Sequence, residues 1–184
     1  MKWTQTSKEL NLKTFLFDLY KVGFKSELSG KEGIFDVLES KDWANIIAIT
    51  ENDEVVMVEQ FRFGTAKVTL EFPSGAIDAQ EEPIEAARRE LLEETGSLGG
   101  SLVKTGECKA NPGFLNNTCH HFLAKNVVIT KEQNLDELEE INIRLIPLKE
   151  VELLILNGSI NHSLSVTAWY YYKMLMEAGS KDET

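Results

Sequence analysis

The chain has 184 residues, 42% of them hydrophobic and 27% charged, with a formal net charge of −11. That length suits one domain with a substantial core, and no apolar run approaches the roughly 18 residues a membrane span requires. The acidity excludes a surface that grips nucleic-acid phosphates nonspecifically, but not a phosphorylated small molecule, because a bound divalent cation inverts the local charge.

In chain order, the start M-K-W-T-Q-T-S-K-E-L-N-L-K lacks the apolar core of a secretory signal. Residues 13–28 are aromatic and β-prone, residues 29–33 (S-G-K-E-G) read as a turn, and a short strand follows near 34–38. Residues 44–50 and 54–61 flank the polar turn E-N-D as a hairpin, with Trp43 just ahead. Residues 67–72 form a strand leading into Pro73-Ser74-Gly75. Pro83 suits a first helical turn and Gly96 the left-handed residue that ends a helix. Residues 102–108 and 118–124 are strands around the loop N-P-G-F-L-N-N, residues 141–146 another strand, and 148–156 and 162–177 helices. These elements predict an α/β chain with a mixed sheet between helices. The expected organisation is an N-terminal β segment over 1–38, a core domain over 39–178 and a polar tail over 179–184. Cys108 and Cys119 follow no metal spacing and read as reduced thiols of a cytoplasmic protein.

Within the predicted helix, Ile84, Ala87, Leu91 and Thr95 fall on one stripe at about 100° per residue, and Glu90, Glu93 and Glu94 on the next. Like charges three and four apart repel, so a cation is the expected compensation. Magnesium takes oxygen ligands, commonly one or two carboxylates plus substrate phosphates. The full frame is Gly75, Glu81, Arg89, Glu90, apolar Leu91, Glu93, Glu94 and Gly96. Its seven fixed letters recur by chance on the order of once in 10⁹ start positions. A solvated acidic helix explains some of the glutamates but not Gly75, Arg89 and Gly96 at these spacings.

This frame resembles the Nudix box, G-x5-E-x7-R-E-apolar-x-E-E-x-G-apolar, with Ser97 departing at the last position. The resemblance implies an α/β/α sandwich and metal-dependent cleavage of a nucleoside diphosphate linked to another group, with magnesium or manganese. Gln60-Phe61-Arg62, Leu70-Glu71-Phe72-Pro73-Ser74-Gly75, Pro112-Gly113-Phe114 and the acidic segment 135–141 resemble the ADP-ribose and ADP-sugar pyrophosphatases of that family. Carried over, Glu90, Glu93, Glu94 and the Ser74 carbonyl hold metal, Arg62 meets the diphosphate, and Glu139 is the base, with Glu137 and Glu140 as alternatives. Arg89 orients a carboxylate, and Glu81 supports the loop or a metal-bound water. The relatives are dimers, which with the apolar segment from Phe15 to Phe24 predicts a homodimer using residues 1–38.

Several residues carry two readings. Phe114 follows a Pro-Gly turn and either faces the substrate or ends an ordinary loop. Asn116 and Asn117 stand where that subgroup often has an acidic residue. Trp43 either stacks on the base or belongs to the core. His120 and His121 alternate faces of a strand, and His162 opens the last helix; none has metal spacing. The substrate expected is a nucleotide sugar, ADP-ribose first. The rival readings are GDP-mannose, a dinucleoside polyphosphate, or a binding module without turnover.

Overall fold

A computed structural model describes residues 1–179; the expected polar tail lies, from residue 180, outside the described residues. The chain divides into two compact units. One comprises residues 1–42 and 109–118, the other residues 43–108 and 119 onward.

The first unit is a three-stranded antiparallel sheet of β1 (Trp3–Lys13), β2 (Asp18–Ser26) and β3 (Glu32–Glu39) in that order. The expected strand over 13–28 starts too early. Residues 14–17 are the turn between β1 and β2, where the Thr14 hydroxyl donates to the Phe17 carbonyl. β1 lies within the expected N-terminal β segment, but no separate strand was expected over its residues. All its residues are exposed, and register shifts between Gln5 and Ser7 and between Leu10 and Leu12 break the alternation that would mark a strand. The segment 109–118 belongs to this unit: Leu38 N donates to the Phe114 carbonyl at 2.7 Å, and Asn116 N to the Leu38 carbonyl at 3.2 Å.

The second unit is built on the hairpin β4 (Trp43–Thr50) and β5 (Glu54–Arg62), whose strands pair only at Ala48–Val56 and Ile49–Val55 before diverging. Beyond that point, β6 (Lys67–Glu71) and β7 (Ser74–Ala76) follow β5 and β4 separately. β8 (Ser97–Leu98) and β9 (Ser101–Cys108) pair with β10 (Cys119–Ile129), which runs parallel to β4, and β11 (Ile141–Pro147) pairs with β5. The sheet is therefore mixed, as expected.

Strand alternation sends the two faces of β4 into two cores. Ala44, Ile46 and Ala48 pack with Ala86, Ala87 and Leu91 of α1 (Pro83–Thr95). Ile47 and Ile49 pack with Phe72, Val151 of α2 (Val151–Leu156), and Ala168, Trp169 and Tyr172 of α3 (Ser163–Gly179). Helices thus cover both faces. α1 starts on Pro83 and ends on Gly96, at φ 64°, whose N–H returns to the Leu92 carbonyl. A Cβ at Gly96 would lie 1.9 Å from the Lys131 carbonyl oxygen, so this position combines a left-handed backbone with a close approach. Gly96→Ala is expected to cost about 2–3 kcal/mol of folding stability, read as a lower denaturant midpoint with an unchanged slope.

Candidate active site

The segment from Glu71 to Ala76 places one helix of carboxylates against two consecutive backbone positions. Ser74 N donates to Glu94 Oε2 at 2.8 Å. One residue on, a Cβ at Gly75 would lie 2.0–2.2 Å from the Glu90 carboxylate, so only glycine leaves room for that group. Glu90 and Glu94 are one helical turn apart on the same helix face, and they meet neighbouring residues of β7. Glu94 is buried, while Glu93 and Glu90 are half-buried. The stripe expected for the core holds, with Ala87, Leu91 and Thr95 buried beside them.

Arg89 ties the cluster together. It donates to Glu81 through Nε and Nη2, to Glu90 and Glu93 through Nη1, and to the Ala76 carbonyl through Nη2. Glu81 foremost, then Glu90 and Glu93, hold its guanidinium well above the ordinary value against partial burial. Glu81 also accepts from Asp78 N at 2.9 Å, so it closes the loop that leads into the helix. This gives it a loop-supporting place and makes Arg89 the orienting cation for two carboxylates.

Burial pushes Glu94 up to about 8, the Ser74 N–H works against this, and the charges of Glu90 and Glu139 add to it. Glu90 is also raised, by burial first and by Glu93 and Glu139, although Arg89 opposes the shift. Glu139 therefore lies within electrostatic reach of both carboxylates from the loop before β11. Its own loop is fastened locally: Glu139 N donates to the Asp136 carbonyl, and Asp136 N to Glu139 Oε2.

Arg62, at the end of β5, is drawn upward in pKa by Glu71 and by the charges of Glu94 and Glu139, against a burial effect. It thus faces the same cluster. Half of its donor fork is already used: Nε and Nη2 donate to Glu71 at 2.9 and 2.7 Å. The expected diphosphate clamp can therefore use only the remaining N–H groups.

Arg62, Ser74, Arg89, Glu90, Glu93, Glu94 and Glu139 belong to the second unit. Trp43 does as well, but it starts β4 in register with Ala76 and Cys119. Alternation puts it on the face opposite the one where Glu90 covers Gly75. Its Nε1 is buried without a hydrogen-bond partner among the described residues. Phe114 belongs to the first unit and is exposed. His121 is fully buried beside Tyr171 and pushed down to about 4 by burial. Sequence reasoning gave no role to Glu71 or to His162, whose Nδ1 lies 3.0 Å from Glu71 Oε2. The L-E-x-P-x-G pattern marked Glu71; nothing local marked His162.

The donor set fits a hard divalent cation. It is all oxygen, and its like charges are crowded and desolvated, as the upward displacement of Glu94 shows. Among the described residues no three acidic, histidine or cysteine groups already converge in metal geometry; Glu90 and Glu93 are both bonded to Arg89. A cation bound here would meet one carboxylate raised toward protonation, Glu94, and two already bonded to Arg89.

The NUDIX domain family profile matches residues 41–169. The chain belongs to this family. It is 28% identical over 147 residues to the ADP-ribose pyrophosphatase of Bacillus subtilis (strain 168), covering 79% of this chain and 80% of that one. It is 33% identical over 132 residues to the methanol dehydrogenase activator of Bacillus methanolicus, covering 70% of each. A crystal structure of an ADP compounds hydrolase superposes with a TM-score of 0.84 at 22% identity, covering 97% of this chain and 96% of that one. The fold and the pyrophosphohydrolase class follow from these likenesses together with the seven fixed letters of the box.

The sign of the pH dependence follows from Glu94. Its folded value, about 8, lies above the ordinary 4.5. The cation-free protein therefore loses this contribution to stability as pH rises through that window, and cation binding releases the proton. Magnesium affinity is expected to rise between pH 6 and 8, roughly tenfold per unit for one released proton. Calorimetry in buffers of different ionisation enthalpy reads that proton directly. Glu94→Gln should abolish the release, and Gly75→Ala should weaken binding without unfolding the chain.

Proposed function

We propose that the chain hydrolyses the diphosphate bond of a nucleoside diphosphate sugar, ADP-ribose first, giving a nucleoside monophosphate and a sugar phosphate. The observation that carries this reading is the gathering of Glu90, Glu94 and Arg62 within the electrostatic reach of Glu139. The similarity to an ADP-ribose pyrophosphatase over four-fifths of both chains supports the choice of substrate.

Glu90, Glu93, Glu94 and the Ser74 carbonyl would hold the divalent cation, magnesium with manganese as the substitute. When bound, it supplies neutralisation of phosphate oxygens and a water of lowered pKa. Glu139 accepts the proton of the attacking water at a carboxylate oxygen. Arg62 presents its free N–H groups to the diphosphate, where a planar donor fork is worth more than a lysine point charge. Arg89 keeps Glu90 and Glu93 in orientation while charge moves.

The base assignment rests on the same observation. The charge of Glu139 is among the larger influences on Glu90, Glu94 and Arg62, which supports it ahead of Glu137 and Glu140. Glu139→Gln is expected to lower kcat by roughly 10²–10⁴ with little change in KM, while Glu137→Gln and Glu140→Gln stay near wild type. The reverse pattern would move the base by one or two residues.

A panel of ADP-ribose, other ADP-sugars, GDP-mannose and dinucleoside polyphosphates, read by coupled phosphate release in magnesium, tests the substrate. ADP-ribose should give the highest kcat/KM, and excess chelator should abolish turnover. Preference for GDP-mannose or a polyphosphate would change the substrate class. Tight binding without turnover would make the chain a binding module.

We further infer a homodimer in the cytoplasm, with residues 1–38 in the interface. The first unit's sheet exposes Trp3, Leu10, Leu12, Ile34 and Phe35 along its strands, and Phe15 and Leu16 at a turn. Apolar surface of this kind calls for a cover, and a two-fold dimer is the commonest one. Light scattering at micromolar concentration should give twice the 20.8 kDa chain mass. A monomeric mass with full activity would refute the inference.

A further inference from the structure

Arg62 is held by a buried carboxylate that the reaction itself does not require. Glu71 has no exposed surface. Its Oε1 accepts from Arg62 Nε at 2.9 Å and from the Thr69 hydroxyl at 2.5 Å. Its Oε2 accepts from Arg62 Nη2 at 2.7 Å, and His162 Nδ1 stands 3.0 Å from the same oxygen, oblique to a regular hydrogen bond. Thr69 reaches Glu71 because residues two apart on a strand share a face. Burial pushes the carboxyl up, but Arg62, His162 and Thr69 together more than offset it and keep it ionised.

The arrangement answers an electrostatic problem of the site. Arg62 lies in the field of Glu94 and Glu139 as well as Glu71. A free guanidinium would swing onto those two carboxylates and neutralise the groups needed for the cation and the proton. Two parallel bonds from Glu71 fix the plane of the guanidinium, and they consume the Nε edge. Nη1 and the second N–H of Nη2 are left for an anion. Glu71 is in turn fastened from the start of α3 at two points: His162 braces its Oε2, and Ser165 Oγ accepts the N–H of the next residue, Phe72, at 3.3 Å.

We propose that Glu71 is a positioning residue that aims Arg62 at the diphosphate, and that His162 is the brace that keeps Glu71 in register. This rests on the reading of Arg62 as a diphosphate contact, and it goes beyond that reading by assigning the two residues behind it. Glu71 acts only through Arg62, so the two side chains form one unit whose removal counts once.

The test is a double-mutant cycle on the whole chain. Inorganic pyrophosphate in magnesium serves as the binding probe, and ADP-ribose kinetics are measured alongside. Glu71→Gln should weaken pyrophosphate roughly tenfold or more and His162→Ala roughly threefold or more, both raising KM for ADP-ribose more than they lower kcat. In an Arg62→Ala background neither substitution should cost anything further, because nothing remains to be aimed. Independent, additive losses in that background would show a merely structural role and overturn the proposal, as would wild-type affinity in both single variants or no wild-type affinity for pyrophosphate. Should Glu71→Gln fail to fold, His162→Ala, at a partly exposed side chain, completes the cycle with Arg62→Ala. A wild-type chain that shows the coupling but ignores ADP-ribose discards the substrate and keeps the positioning role.

Discussion

The register of α1 on β7 is the constraint from which the site follows. Glu94 is tied to the Ser74 N–H, and the Glu90 carboxylate rests on Gly75 where no side chain fits. One turn of helix spans two backbone positions, so the carboxylates are fixed in two places at once. Everything that sets this register is part of the site: the core stripe of Ala87 and Leu91, the proline start, and the left-handed stop at Gly96. The divergence of β4 and β5 beyond Ala48 and Val56 makes room for β7, and with it for the helix.

Charge is the second organising influence. Three carboxylates on one helix, with Glu139 nearby, are tolerated because two arginines divide the work. Arg89 stays inside the cluster and holds Glu81, Glu90 and Glu93. Arg62 stays at its edge, anchored on Glu71. Burial still raises Glu94 toward protonation, and the charge of Arg62 offsets this only in part. That residual strain is where a divalent cation gains most, since it meets a carboxylate already stripped of water and aimed by the backbone. A buried ion pair such as Arg62–Glu71 is weak support for stability; its value is in fixing direction.

Much of this was legible in the sequence because the box encodes a helix and its two ends. Pro83, the Ala87–Leu91–Thr95 stripe and Gly96 each state a local rule, and the structure obeys them. The β4–β5 hairpin, β6 and α3 were legible for the same reason. β1 was not, since its register shifts and polar content hide the period of a strand. Nor was the membership of residues 109–118 in the first unit, which depends on pairing with β3 far away in sequence. His162 was invisible as a partner of Glu71 because ninety-one residues separate them. Arg62 was readable as a candidate site residue but not as one bonded to its own anchor, Glu71.

Manganese anomalous diffraction from crystals of the whole chain tests the central claim most directly. The account predicts a peak within coordination distance of Glu90, Glu94 and the Ser74 carbonyl, lost in Glu94→Gln. A well-ordered peak elsewhere, or none at saturating manganese, would contradict the reading of this helix as a metal-bearing catalytic element.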